Sequence, residues 1–161
     1  MITLKGTRFG DIEINEEHAI LFPRGLIGFA EETRFVILER PRSHLALLQS
    51  LKTPSLAFPV VEARIVDPDY AIGSVRQVAD TFHIKFDDLA TLFVVHADPN
   101  EPHGLRANML APILMDAASR RAWQVILDGS GYDAAATIDP SSLALTRRVA
   151  HPIVAELAPL L

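Results

Sequence analysis

The sequence predicts a mainly β protein: one antiparallel, barrel-like domain with one short internal helix and a C-terminal helical tail. Three observations carry this reading. Short apolar runs rich in Val, Ile, Leu and Phe recur from Ile2 to Leu127, with the length and chemistry of strands rather than helices. Between them stand clusters of Gly, Pro, Asp, Asn and Ser, the residues that turns require. Helical spacing of apolar residues occurs only around residues 74–83 and after Pro140. At least about eight short strands would leave bare edges unless the sheet closes, so a closed or nearly closed barrel is expected. The expected division is residues 1–132 for the barrel and 133–161 for a helical extension packed on it.

Ile2, Leu4, Phe9, Ile12 and Ile14 fall at near period-two spacing, broken by Gly6 and Gly10, which predicts a strand or an irregular hairpin. Asn15 to Glu17 reads as a turn and His18 to Phe22 as a short strand. The run Phe22-Pro23-Arg24-Gly25-Leu26-Ile27-Gly28-Phe29 organises the chain as a reversal, because proline fixes its φ and glycine reaches angles closed to other residues. Phe22 and Phe29 are the aromatic anchors expected to bury on either side of it. Arg34 to Glu39 predicts another strand, and Leu45 to Leu51 is apolar almost throughout, as in a strand covered on both faces. Gln49 and Ser50 end it with polar groups which, if buried, must satisfy backbone groups of a neighbouring loop.

Leu56 to Val66 predicts a long strand whose Pro59 belongs at an edge or a bulge. It ends at Asp67-Pro68-Asp69, with Tyr70 placed to pack its ring and bond through its hydroxyl. Ser74 to His83 is a short helix with a serine cap and Val75, Val78, Ala79 and Phe82 on one face. Residues 89–97 return to strand chemistry, and the loop from Asp98 to Gly104 carries turn residues at nearly every position. Leu105 to Met115 and Arg121 to Leu127 form a pair joined by Asp116 to Arg120. After Pro140, Ser141 or Ser142 caps a helix with a broad apolar face from Leu143 to Leu161, which Pro152 kinks or divides into two helices near His151. So apolar a tail must be covered, by its own domain or by another protein.

A chain of 161 residues suffices for one real core. With no cysteine, disulfide and thiolate chemistry are excluded, in keeping with a reducing, cytoplasmic setting. No apolar run approaches the roughly 20 residues of a membrane span, and the N-terminus lacks a signal-peptide pattern. A net charge of −5 argues against broad phosphate-backbone binding, and the acidic groups read as solvated loop ends or, if they form one face, as a surface that steers a basic protein partner.

No nucleotide loop, nucleophile elbow or zinc-protease helix is present, and no catalytic residue is assigned. The sharpest alternative is a metal- or small-ligand-binding barrel using His96, Asp98, Glu101 and His103, although a prolyl loop between such ligands fixes their directions. Trp123 fits a core position or, beside Arg121, an interface anchor.

Four runs carry a resemblance: Phe22 to Phe29; Leu48-Gln49-Ser50 with Leu56-Ala57-Phe58; Asp67-Pro68-Asp69-Tyr70; and Ala107-Asn108-Met109-Leu110-Ala111-Pro112-Ile113 followed by Gln124-Val125-Ile126-Leu127. In this order they resemble the FliW family of bacterial flagellar assembly factors, over roughly residues 1–132. The resemblance implies a compact β-barrel-like fold without enzymatic activity or cofactor. It implies two protein partners, flagellin and the RNA-binding translational repressor CsrA, which compete for the factor and so couple flagellin level to its translation. By residue, it points to Gln49, Ser50, Tyr70 and Asn108 as partner-binding positions and to Phe22, Gly25, Gly28, Phe29, Phe58, Pro68 and Pro112 as structural ones. A monomer without direct nucleic-acid or membrane binding is expected. One departure stands out: the family runs to a short basic end after the tyrosine matched by Tyr132, whereas here Asp133 to Thr137 and a long apolar tail follow.

Overall fold

A computed structural model of the chain describes residues 1–143 and 154–156. Twelve strands are seen among them: β1 (Ile2–Thr7), β2 (Gly10–Ile14), β3 (Ile20–Leu21), β4 (Arg34–Glu39), β5 (Ala46–Ser50), β6 (Ala57–Glu62), β7 (Leu89–Ala97), β8 (Leu105–Ala107), β9 (Ile113–Asp116), β10 (Arg121–Gln124), β11 (Ala136–Ile138) and β12 (Val154–Glu156). Two α-helices, α1 (Ala63–Val66) and α2 (Ile72–Thr81), follow β6.

The strands β3, β4, β5, β6, β7, β9 and β10 pair in that order, and β10 returns to β3 through the parallel pair Arg121 and Leu21. This closes a seven-stranded barrel. Closure removes the bare edges that an open sheet exposes. Alternate residues fill the inside: Ile20, Phe35, Ile37, Leu48, Val60, Ile113, Met115 and Ala122 are all nearly inaccessible. Phe22 joins them, its ring edge-on to Phe35 with centroids 5.0 Å apart. Each such fully buried phenylalanine contributes about 1.5–3 kcal/mol by leaving water.

The outer wall is covered in two places. The β1–β2 hairpin lays Leu4, Ile12 and Ile14 over Val36, Leu38 and Leu47, which buries β4 and β5 on both faces and accounts for their unbroken apolar runs. On the opposite wall, α2, β8 and β11 cover Val61, Phe93 and Leu114 with Val75, Ala79, Ala107 and Ile138. β7 serves both layers: Leu89 to Leu92 pair with β9 in the barrel, and Val95 to Ala97 diverge to pair with β8.

Several expectations are corrected in detail. The long strand over Leu56 to Val66 is β6 followed by α1, and Pro59 sits one residue before pairing with β7 begins at Val60. Ser74 is not the cap of the internal helix but lies inside it. The helix starts at Ile72, after Ala71 at the cap position, which takes left-handed angles and donates its N–H to the Tyr132 hydroxyl at 2.9 Å, so a tertiary contact sets the start. The run Leu105 to Met115 is two strands separated by a turn that Asn108 closes, its Oδ1 accepting the Ala111 N–H at 3.0 Å. β11, within the segment read as an extension, pairs with β8.

Phe29, expected to bury with Phe22, remains 40% exposed, although its ring meets Phe58 edge-on at 5.1 Å. In the tail, Val154–Glu156 is a strand rather than helix, running parallel to Ile37, Leu38 and Glu39. The reason is the shortness of β3, which pairs only with Phe35 and Arg34 and leaves that part of β4 an open edge. Neither Ser141 nor Ser142 caps an α-helix: both lie inside a short 3-10 helix, Pro140–Leu143, where the Asp139 carboxylate accepts the Ser141 N–H at 3.0 Å. The remainder of the predicted tail helix lies outside the described residues.

Candidate functional site

The partner-binding positions indicated by the resemblance fall into two separate networks. In the first, Gln49 and Ser50 are wholly buried at the end of β5. The Gln49 Nε2 donates to the carbonyls of Ser50, Pro54 and Leu56 at 2.9, 2.9 and 3.2 Å, and its Oε1 has no partner among the described residues. The Ser50 hydroxyl accepts the N–H groups of Lys52 and Thr53 at 3.1 and 2.9 Å and donates to Glu32. Thr53 donates to the second oxygen of the same carboxylate. Burial pushes the Glu32 carboxyl up, but the Ser50 and Thr53 hydroxyls and the Lys52 ammonium outweigh it and hold the group below the usual carboxylate range. These side chains clamp the loop of residues 51–56, the role that a buried polar pair at a strand end requires.

The second network lies under the turn of residues 108–112. The Tyr70 hydroxyl donates to the Met109 carbonyl, and its ring meets Phe93 and Tyr132, both with centroids 4.6 Å away. Burial, then the neighbouring Tyr132 and Asp67, push the Tyr70 hydroxyl well above its ordinary value, so it is a permanent donor. Asn108 is half-buried beside it, its backbone N–H donated to Val94 and its side chain spent on Ala111. Among the described residues no hydrogen bond joins this network to the Gln49 clamp.

The structural positions behave unequally. Phe22, Gly25 and Pro112 are buried, Phe58 is half-buried, and Gly28 and Pro68 are exposed. Gly25 and Gly28 both take positive φ, +64° and +83°. Only Gly25 is also pressed against backbone, where an added Cβ would meet Phe29 and would lie 2.7 Å from the carbonyl of Ala30.

Gln124, quoted within a motif but not singled out there, links two of these regions. Its Oε1 accepts the Ile27 N–H at 2.8 Å and its Nε2 donates to the Ala111 carbonyl at 3.1 Å, so it ties the reversal at Phe22 to Phe29 to the 108–112 turn. A polar side chain set between the apolar Trp123 and Val125 was the available signal. Beside this tie Ile27 and Ile126 are 54% and 58% exposed, and Phe29 adds its partly open ring. Ile27 and Phe29 in the reversal and Ile126 two residues after Gln124 are thus large apolar groups offered to solvent, the chemistry of an interaction surface. Trp123, next to Gln124 in the chain, is half-buried, its ring stacked on Phe82 at 4.6 Å, and the Arg24 guanidinium lies 5.7 Å from the Phe82 ring centre.

The loop from His96 to His103 forms no such centre. Asp98 is buried and committed to Arg106 at 3.0 Å and to the Asn100 N–H at 2.9 Å, while His96, Glu101 and His103 are exposed. Among the described residues no group of three or more His, Cys, Asp or Glu side chains converges as a metal site would need. Nor, among them, is any helix long and apolar enough to cross a membrane.

Comparison with known proteins adds the lineage. A family model described as FliW protein matches residues 3–138. The flagellar assembly factor FliW of Bdellovibrio bacteriovorus is 32% identical over 151 residues, covering 92% of this chain and 85% of that protein. The factor of Geobacillus kaustophilus is 32% identical over 135 residues, 84% of this chain and 94% of its own. A crystal structure of the flagellar assembly factor FliW superposes with a TM-score of 0.73 at 31% identity, covering 86% of this chain and 97% of that one. The four ordered motifs, the closed barrel and these matches over most of each chain agree, and the chain belongs to the FliW family.

Proposed function

We propose that this protein is a flagellar assembly factor acting as a non-enzymatic binder, which holds flagellin, antagonises the repressor CsrA and works in the cytoplasm. The observation that supports this reading is the apolar surface of Ile27, Phe29 and Ile126 on the barrel of a family whose relatives are named for flagellar assembly. Regulation of this kind needs no chemistry. When two partners compete for one binder, the concentration of the first sets how much binder is left for the second. A net charge of −5 also favours encounter with a basic RNA-binding protein.

In this reading Gln49 and Ser50 serve binding by fixing the 51–56 loop, and Tyr70 and Asn108 by fixing the 108–112 turn, rather than by touching a partner. Calorimetric titration with flagellin and, separately, with CsrA from the same organism tests the proposal. Saturable binding of both, with CsrA displaced by flagellin, is the expected result. The I27D/I126D variant should lose at least one of these interactions while keeping its thermal midpoint, because both side chains are exposed. Absence of binding to either protein would overturn the reading.

A further inference from the structure

An open groove of about 460 Å³ lies on the barrel wall where β4, β3 and β10 run side by side. Its floor is a row in register across the three strands, Arg34, Leu21 and Arg121. Their strand neighbours Phe35, Ile20 and Ala122 are fully buried inside the barrel, so alternation turns the whole row outward. Leu21 is 37% exposed between two exposed arginines. Their Cα atoms stand two strand spacings apart, roughly 10 Å. Among the described residues neither Arg34 nor Arg121 makes an ion pair. Ser119, Arg120, Glu16 and Glu17 also line the groove.

We propose that this groove docks an acidic peptide segment, with carboxylates on Arg34 and Arg121 and an apolar side chain over Leu21. A guanidinium offers two parallel N–H groups that match a carboxylate, and a pair of them fixes the segment's position as well as its charge. Leu21 gives an apolar contact that a sugar–phosphate chain could not return. Glu16 and Glu17 repel a continuous polyanion but leave room for a peptide whose charge is confined to a few side chains. The groove lies at the opposite end of β10 from Gln124, and the inference does not rest on the flagellar reading.

The test is fluorescence anisotropy of the full chain with a fluorescein-labelled peptide carrying glutamates on both sides of a leucine. Its glutamine counterpart and a single-stranded RNA of equal net charge are the comparisons. Saturable, salt-sensitive binding is expected for the glutamate peptide, weakened about tenfold in R34Q/R121Q and also on replacing its glutamates by glutamine, as loss of two charge-assisted contacts implies. R8Q/R64Q, with the same change in net charge at exposed arginines elsewhere, should change it less than about twofold. Should R34Q/R121Q melt early, R34K/R121K keeps the charge and still removes the fork, and weaker binding is again expected. The proposal is overturned if the peptide does not bind saturably, if the two glutamine double variants lose binding equally, or if the RNA binds more tightly than the peptide.

Discussion

Replacing Gly25 and Gly28 separately by alanine isolates what the reversal at Phe22 to Phe29 requires. Both glycines hold positive φ, +64° and +83°, so each alanine meets the left-handed penalty of roughly 1–2 kcal/mol. At Gly28 nothing lies within 4 Å of the new Cβ, and the cost stops there. At Gly25 the Cβ falls on the backbone of Phe29 and 2.7 Å from the carbonyl carbon and oxygen of Ala30, closer than carbon atoms pack, and backbone cannot swing aside as a side-chain tip can. Relief requires opening the reversal, where the Phe22 carbonyl accepts the Gly25 N–H and the Phe29 carbonyl accepts from Leu26 and Glu32. Overpacking of this kind adds about 1–3 kcal/mol. The sum is about 2–5 kcal/mol for G25A against about 1–2 for G28A, a large share of a stability of about 5–15 kcal/mol. For a chain of this size each 1 kcal/mol moves the thermal midpoint by about 2–4 °C. Urea unfolding and thermal melting of both variants give the comparison directly. Equal losses, or a greater loss for G28A, would refute the account of close backbone approach at Gly25.

Acid should find the Glu32 clamp. Its carboxyl is held below the ordinary range, so the stabilisation is fully present above pH about 4.3 and disappears as pH falls through the folded-state value. E32Q should therefore lower stability at neutral pH, by about 1.5–3 kcal/mol for hydrogen bonds to a charged acceptor, and flatten the stability profile below pH 5, read by urea midpoints across pH. Y70F removes the hydroxyl that serves the buried Met109 carbonyl and should cost about 1–3 kcal/mol in the same assay. In the parent protein, spectrophotometric titration should show one of its tyrosines ionising well above the ordinary value. Because Val154–Glu156 covers the open part of β4, removing residues 141–161 should lower the thermal midpoint, and an unchanged midpoint would show that the pairing adds nothing.

How much of this was legible follows from the range of each signal. The order and chemistry of the strands were readable, because alternation of apolar residues and turn composition act over a few neighbouring positions. The Phe22 to Phe29 reversal was readable for the same reason, and so was the buried fate of Gln49 and Ser50, since polar atoms at the end of an apolar strand must find backbone partners. Where local rules failed, a distant residue had intervened. Ser74 is a good cap by composition, yet the helix begins at Ile72 because Tyr132, from the far side of the chain, holds the Ala71 N–H. Leu105 to Met115 reads as one run, yet β7 divides between β9 and β8 and forces two strands from it.

The candidate surfaces belong to the same distinction. Residue types alone marked Ile27, Phe29, Arg34 and Arg121 as members of a turn or strand, with no indication of which face is covered. Ile27 and Ile126 stay exposed on either side of the Gln124 tie, which joins residues 97 positions apart. The uncovered row Arg34, Leu21 and Arg121 exists because a two-residue β3 closes the barrel between β4 and β10. Local periodicity decides which side chains leave water, since burial of apolar area rewards any pairing that achieves it. Which strands meet, and which outer faces stay open, is settled by closure of the whole sheet, where one choice of register must satisfy every strand at once.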